Sequence, residues 1–227
     1  HLLVTENIEN EKNKIFFQQM QEKITNFSSS LIFFTLEINQ FSSKKIKLYF
    51  NDNKLTKYKT WIEKRRSFKP YQLDKKLEKL LQDKSLTSSS AWIRLFDDTI
   101  ASLRFPFKNK LLSSAEILNL LSDNKSATRK AAAKSVGKTL GKNVNLFATI
   151  TNTLAKDKSI NDEWRKLPNP VSSRNLSNVV EDEVVETLSN TVSNSYRKLS
   201  HRYYNLKAKW FDVKRLKYWD RNAPFPF

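Results

Sequence analysis

The sequence of 227 residues predicts a mainly α-helical protein. It contains only two glycines and six prolines, which leaves few positions for tight turns and favours helices with short connections. Apolar residues make up 39% of the chain and recur every three or four positions, which is the period of an α-helix. A chain of this length and composition can bury a sizeable core, so an intrinsically disordered protein is excluded.

The beginning of the chain is expected to form a pair of helices. Polar and apolar residues alternate at helical spacing over residues 6–25, and Ile15, Phe16 and Met20 are predicted to lie on the buried face. Three serines at 28–30 could cap a second, more apolar helix. The interpretation is therefore a helical hairpin.

Residues 44–84 form a strongly basic segment with 14 Lys and Arg and 5 Asp and Glu. Apolar and aromatic residues lie between the lysines at helical spacing, and Pro70 is expected to separate two helices. Serines at 88–90 then mark the start of another helix.

The period changes near residues 102–112, where a short β-hairpin is predicted. Its turn would be Lys108-Asn109, and Pro106 can be accommodated because both strands of such a hairpin are edge strands. Ser113 and Glu116 have the spacing of a capping box, which predicts that a helix begins immediately afterwards.

Two further helices are predicted before the loop at 167–170. The alanine-rich segment 126–142 should be a helix with a solvated stripe of lysines, and 145–156 a helix with an apolar inner face. The stripe comprises Lys130, Lys134, Lys138 and Lys142, and the inner face comprises Leu146, Ile150 and Leu154.

The clearest periodic element lies between residues 180 and 210. Apolar residues step by three or four positions, which predicts one long helix or two joined helices. Acidic residues lie at its start and basic residues towards its end, in agreement with the helix macrodipole. The apolar positions are Val180, Val184, Leu188, Val192, Tyr196, Leu199, Tyr203, Leu206 and Trp210.

No motif in the sequence predicts a catalytic, cofactor or metal site. Gly137-Lys138-Thr139 lacks the earlier glycine and the preceding strand of a phosphate-binding loop. His201 has neither the glutamate nor the second histidine of a zinc-binding helix, and His1 is terminal. The carboxylates at 181–183 are best explained by the start of a helix, where negative charge is favourable.

The formal net charge of +18 leaves a second function class open. Lysines interleaved with aromatic residues are typical of proteins that bind the phosphate backbone of nucleic acids. The basic residues are, however, spread over almost every segment. A basic helical module that binds nucleic acid without enzymatic activity is therefore kept as the alternative.

From about residue 31 onward the chain resembles oligoendopeptidase F, a member of the thimet-oligopeptidase-like group of zinc peptidases. The resemblance depends on the order and spacing of several segments rather than on one diagnostic motif. These segments are AWIRLFDDTIASLRF (91–105), the Arg129–Ala132 region, LFATITNTLAKDKSINDEWR (146–165), SRNL (173–176) followed by VVE (179–181), and LSHRYYNLKAKWFDVKRLKYWDRNAPFP (199–226).

The resemblance implies a metalloendopeptidase that hydrolyses short peptides. Its helical N-terminal portion would shape the substrate channel, and an HExxH motif with a downstream glutamate would hold Zn²⁺ elsewhere in the protein. This sequence contains no His-Glu pair, so no catalytic or metal-binding residue can be assigned to it. We therefore expect an N-terminal fragment, inactive alone, with a helical lobe over 1–112 and a region leading to the catalytic domain over 113–227.

The partners and location follow from the same interpretation. The first residue is His and the chain ends in an apolar segment at 223–227, which also suggests a piece of a longer protein. We expect short peptides as substrates, a cytoplasmic location because cysteine and apolar spans are absent, and no membrane association. Trp210, Trp219 and Phe225 are expected to be exposed in the isolated chain, which would favour self-association.

Overall fold

The computed structural model describes residues 10–225. His1, residues 6–9 of the first predicted helix and the last two residues of the C-terminal apolar segment lie outside this range. The helices in the first half are α1 (Glu11–Gln40), α2 (Ser43–Tyr49), α3 (Asn53–Thr56), α4 (Lys59–Arg66), α5 (Lys75–Lys84) and α6 (Ser89–Ser102).

The second half contains one β-hairpin and six further α-helices among the described residues. The strands are β1 (Phe105–Phe107) and β2 (Lys110–Leu112), and the helices are α7 (Ser114–Asn119), α8 (Ser126–Lys142), α9 (Val144–Arg165), α10 (Ser172–Asn178), α11 (Asp182–Ser195) and α12 (Arg202–Trp210). Short 3₁₀ turns lie at Lys69–Tyr71, Leu120–Ser122 and Tyr218–Asp220, and a π-helical turn at Arg197–His201. The predicted mainly α fold is confirmed.

The expected N-terminal helical hairpin is wrong, because α1 is one helix of 30 residues. The hydroxyl of Ser30 donates to the carbonyl of Asn26, one turn earlier at 3.0 Å, so this serine remains within the helix instead of capping a new one. The predicted inner face is wrong for Ile15 and Phe16, which are more than half exposed, whereas Met20 is half-buried. The buried residues of α1 lie in its second half and are Ser29, Leu36, Ile38 and Asn39.

The described residues form two compact units. The first contains the described residues up to Ile93 together with Asn152–Val185, and α1 packs there against α4 and α5. The end of α1 has no basic residue in its last turn. Arg66 of α4 compensates, because its Nη1 donates to the carbonyl of Ile38 at 2.7 Å, where the last turn leaves carbonyl groups without helical partners.

Pro70 lies where the sequence predicts a break. It is part of the 3₁₀ turn Lys69–Tyr71, between α4 and α5. Asp74 then caps α5, because its Oδ1 accepts hydrogen bonds from the backbone N–H groups of Lys76 and Leu77.

The second unit contains Arg94–Thr151 and the described residues from Glu186 onward. Its core is formed by Phe105 of β1, Ile117 of α7 and Ala132 of α8, which are all almost completely buried. Leu103, Phe107, Leu112, Leu120, Leu121, Val136 and Leu140 pack around these three residues. The hairpin is thus held by apolar contacts with α7 and α8.

The hairpin and the capping box are both confirmed. The two strands are antiparallel with Pro106 opposite Leu111, and the turn places Lys108 at a φ of 52°. The carboxylate of Glu116 accepts from the backbone N–H of Ser113 at 2.8 Å, while the Ser113 hydroxyl accepts from the N–H of Glu116. The reciprocal bonds fix the start of α7.

The apolar line at the end of the chain is exposed. We call Leu188, Val192, Tyr196, Leu199, Tyr203, Leu206 and Trp210 the apolar stripe; their exposed fractions range from 37% to 67%. The expectation for the aromatic residues nearby holds in part. Trp210 and Phe225 are exposed and their rings contact each other at 5.1 Å between centroids, whereas Trp219 is half-buried beneath Lys130.

Among residues 10–225, no helix combines the length and hydropathy needed to cross a bilayer.

Candidate functional site

The motifs considered in the sequence occupy ordinary structural positions. Gly137-Lys138-Thr139 lies inside α8, one regular helix, and the lysines at 130, 134, 138 and 142 are exposed as predicted. A phosphate-binding loop requires a strand, a loop and a helix N-terminus, so α8 does not provide one.

His201 and the carboxylates at 181–183 are separate features. His201 is an exposed residue of the π-helical turn. Asp182 and Glu183 lie in the first turn of α11, where Asp182 accepts a hydrogen bond from the amide of Asn175 at 2.7 Å. The acidic residues therefore stabilise the start of a helix, as the sequence indicates.

One cavity in the first unit has a volume of about 950 Å³. It lies within the size range of small-molecule sites, roughly 300–1,000 Å³. Most of its lining residues belong to α1, α4, α5 and α9, and its wall combines apolar, aromatic and charged groups. The aromatic lining residues are Phe34, Trp61, Phe68 and Tyr71.

Glu78 and Arg165 form a two-point ion pair in the wall of this cavity. Nη1 of Arg165 donates to Oε1 of Glu78 at 2.6 Å, and Nη2 donates to Oε2 at 2.9 Å. The same Nη1 also reaches the carbonyl of Tyr71 at 3.2 Å. Such a fork-to-fork geometry holds both side chains in one orientation, so the pair links α5 to the end of α9.

The environment of this pair favours both charges. Burial by itself raises the pKa of Glu78, but hydrogen bonds from Arg165 and from the N–H of Leu73 outweigh it, so the pKa of Glu78 lies below its ordinary value of 4.5. The hydrogen bond to Glu78 in turn raises the pKa of Arg165. Both groups remain ionised at neutral pH.

A second polar contact in the wall joins α1 to the chain before α5. The amide of Asn39 donates to Oε1 of Gln72 at 2.6 Å, and Asn39 is only 3% exposed. Its own Oδ1 has no hydrogen-bond partner among the described residues. An unsatisfied buried acceptor costs about 1–3 kcal/mol.

The second unit contains a separate buried charge cluster. Arg129 of α8 donates from Nη2 to Oδ1 of Asp220 at 2.7 Å and from Nη1 to the carbonyls of Asp123 and Asn124. Lys207 is 2% exposed, and its Nζ donates to the carbonyl of Arg221 at 2.9 Å. Burial and the nearby charge of Arg129 lower the pKa of Lys207 below its ordinary value.

The described residues do not provide a metal site. Nowhere in residues 10–225 do three His, Cys, Asp or Glu side chains cluster in a way that could hold a metal ion. Neither charge cluster fits zinc, because each pairs carboxylates with guanidinium groups and contains no imidazole. No chemical step through a metal is therefore assigned to these residues.

Comparison with known proteins connects this fold to one family. Residues 37–105 match the family model of oligopeptidase F. The resemblance to oligoendopeptidase F is confirmed. The crystal structure of oligoendopeptidase-F from Enterococcus faecium matches with a TM-score of 0.84 over 99% of this chain, at 23% sequence identity.

Two other solved structures have the same fold. One is a protein from Bacillus anthracis named as an oligoendopeptidase F, with a TM-score of 0.71, 15% identity and 95% of this chain covered. The other is a protein from Chlamydophila abortus named as a peptidase, with a TM-score of 0.70, 16% identity and 96% coverage. No curated protein matches the sequence significantly.

The chain spans less than half of each of these structures: 44% of the Enterococcus faecium protein, 38% of the Bacillus anthracis protein and 37% of the Chlamydophila abortus protein. It has the fold of the N-terminal helical part of oligoendopeptidase F. The matched family and the three structures concern peptidases, and none of them supports the nucleic-acid-binding alternative.

The paired groups in the cavity wall were not evident from the sequence. Glu78 and Arg165 are 87 positions apart, and Asn39 and Gln72 are 33 apart. No local periodicity connects residues at such separations.

Proposed function

We propose that this chain is the N-terminal part of a cytoplasmic zinc metalloendopeptidase that hydrolyses short peptides. The match of residues 37–105 to oligopeptidase F carries the proposal. The fold similarity over 99% of the chain to oligoendopeptidase-F of Enterococcus faecium supports it. The helices would form part of the wall of the peptide channel.

The catalytic chemistry is assigned to other parts of the whole protein. When bound, zinc in such enzymes polarises the peptide carbonyl and activates water. The residues that hold it would lie outside this chain, because the sequence contains no HExxH and only two histidines. We further propose that 1–112 belongs to an N-terminal helical lobe and that 113–227 is the helical region that leads to the catalytic domain.

Hydrolysis of a fluorogenic peptide tests the proposed function. The protein translated from the complete gene should cleave the peptide and lose this activity with a chelator, and it should regain activity with added Zn²⁺. The 227-residue chain alone should be inactive under all three conditions. A complete gene without HExxH, or chelator-sensitive cleavage by the purified chain, would contradict the proposal.

Self-association of the isolated chain is a second part of the proposal. The apolar stripe exposes seven residues between Leu188 and Trp210, and exposed apolar surface of this kind favours protein contacts. Acidic residues begin α11, whereas α12 is basic. These local charges would favour an antiparallel register of two copies, whereas the net charge of +18 opposes their approach.

A further inference from the structure

The cavity of the first unit contains two opposite charges that other charged residues do not neutralise. Six ionisable side chains other than Tyr line it: Arg65, Glu78, Asp157, Lys158, Asp162 and Arg165. Four of these form pairs within the wall, Glu78 with Arg165 and Asp162 with Lys158. Arg65 and Asp157 remain without an ion pair among residues 10–225.

Arg65 is held above an aromatic ring. Its guanidinium carbon lies 5.6 Å from the centre of the Trp61 ring, a distance typical of cation–π contacts. This contact orients the guanidinium but leaves its N–H donors available for a carboxylate, which is the anion that Arg binds with two parallel hydrogen bonds.

Asp157 supplies the opposite charge from α9. It is half-buried, and within residues 10–225 the only side chain bonded to it is that of Asn161, which donates to the backbone carbonyl and not to the carboxylate. A partly buried carboxylate without a cation is stabilised by an ammonium group, so this part of the cavity wall is suited to a positively charged ligand group.

The wall of the same cavity also offers an aromatic surface. The rings of Phe34 and Trp61 are 6.3 Å apart at an interplanar angle of 30°, and both side chains are more than 40% exposed. Aromatic side chains of a ligand bury large areas when they pack on such a surface.

We propose that this cavity is a noncatalytic binding site for short zwitterionic peptides. Arg65 would bind the peptide carboxylate, Asp157 the terminal ammonium, and the Phe34–Trp61 wall an aromatic side chain. A sphere of about 950 Å³ is roughly 12 Å across, and an extended chain spans about 3.3–3.6 Å per residue, so a peptide of three or four residues would fill the cavity. The proposal extends the proposed peptidase function, from which it takes peptides as the ligand class.

Calorimetric titration of the 227-residue chain with the tripeptide Phe-Ala-Phe tests the site. Three modified probes accompany it: the N-acetylated form, the C-terminal amide, and Gly-Ala-Gly, which lacks the aromatic side chains. Each modification should weaken binding about tenfold, since each removes one of the three contacts.

Two variants assign each peptide terminus to its residue. Asp157→Asn should weaken binding of the free tripeptide about tenfold. N-acetylation of the peptide should then cause almost no further loss of affinity in this variant. Arg65→Gln should also weaken binding of the free tripeptide about tenfold, and C-terminal amidation should then cause almost no further loss. Glu163→Gln and Lys64→Gln make the same charge changes at exposed neighbours outside the cavity and should leave binding unchanged.

The outcomes separate this proposal from the proposed function. Circular dichroism should be unchanged in both variants, because neither residue forms an ion pair within residues 10–225. The proposed site would be wrong if no binding is detected at millimolar peptide, or if N-acetylation still lowers the affinity of Asp157→Asn about tenfold. Either result would overturn the site even if the complete protein hydrolyses peptides. Binding by the chain together with an inactive complete protein would overturn only the peptidase function.

Discussion

Arg129 and Asp220 form a buried ion pair between residues that lie 91 positions apart. The distance from Nη2 to Oδ1 is 2.7 Å, and the two side chains are only 1% and 11% exposed. The other carboxylate oxygen of Asp220 is used as well, because its Oδ2 accepts from the backbone N–H of Lys217. The pair therefore ties the Tyr218–Asp220 turn to α8.

Removing the carboxylate of this pair should strongly destabilise the chain. In Asp220→Asn the guanidinium of Arg129 stays buried without a charged acceptor, which typically costs about 3–5 kcal/mol in the free energy of unfolding. Guanidinium chloride unfolding at pH 7, followed by circular dichroism, measures this change. The control Glu186→Gln makes the same charge change at an exposed position and should shift the midpoint little. Equal effects of the two substitutions would show that the pair does not stabilise the fold.

Stability should fall in acid partly because of Glu78. The folded-state pKa of Glu78 is lower than 4.5, its ordinary value, so below about pH 4.5 the unfolded chain binds more protons than the folded chain. The stabilisation from Glu78 is thus complete above this pH and is lost as the pH falls through the folded-state pKa. Urea unfolding between pH 3 and 7 should show a loss in the wild type that is smaller in Glu78→Gln.

The Glu78→Gln variant should also be less stable at neutral pH, because Arg165 loses its charged partner. We expect its free energy of unfolding to fall by about 1–3 kcal/mol. Glu163→Gln serves as the control, because this exposed residue lies on α9 near Arg165 without contacting the pair. If Glu78→Gln and Glu163→Gln show the same pH profile as the wild type, Glu78 does not contribute to the acid sensitivity.

The features that the sequence predicted correctly are local. The hairpin at 105–112 and the capping box at Ser113 depend on residues within a few positions of one another, so turn chemistry and spacing suffice to predict them. The serines at 28–30 are ambiguous, because a hydroxyl can cap a helix or bond to the preceding turn within one. The packing of the surrounding chain resolves that ambiguity and is not encoded in the local pattern.

Helical periodicity also shows which side of a helix is apolar without showing whether another element covers it. Ile15 and Phe16 were expected to be buried for this reason, and they are exposed. The cavity was missed for a related reason, since its wall combines residues from several helices that are distant in sequence. Such a site becomes visible only when the long-range contacts are known.

The core of the second unit should depend on Ile117. Ile117 is fully buried, so Ile117→Ala should leave a cavity and lower the free energy of unfolding by about 2–5 kcal/mol. The adjacent Leu118 is 52% exposed and provides a matched control, because Leu118→Ala removes a side chain of similar size from the surface. Thermal and guanidinium chloride unfolding of both variants measure the difference. Similar losses from the two substitutions would contradict the assigned core.

The apolar stripe should cause the isolated chain to associate. Sedimentation velocity at tens of micromolar should show species heavier than 26.6 kDa, and added salt should increase their share because it screens the repulsion between chains of net charge +18. The double substitution Leu188→Asn and Leu199→Asn removes the two most exposed leucines of the stripe and should shift the chain towards a monomer. Leu118→Asn makes a comparable change on α7, outside the stripe, and should leave association intact. If the double variant and the wild type sediment alike, the stripe is not the contact surface. If the wild type stays monomeric even at high salt, the chain does not self-associate and the proposal is wrong.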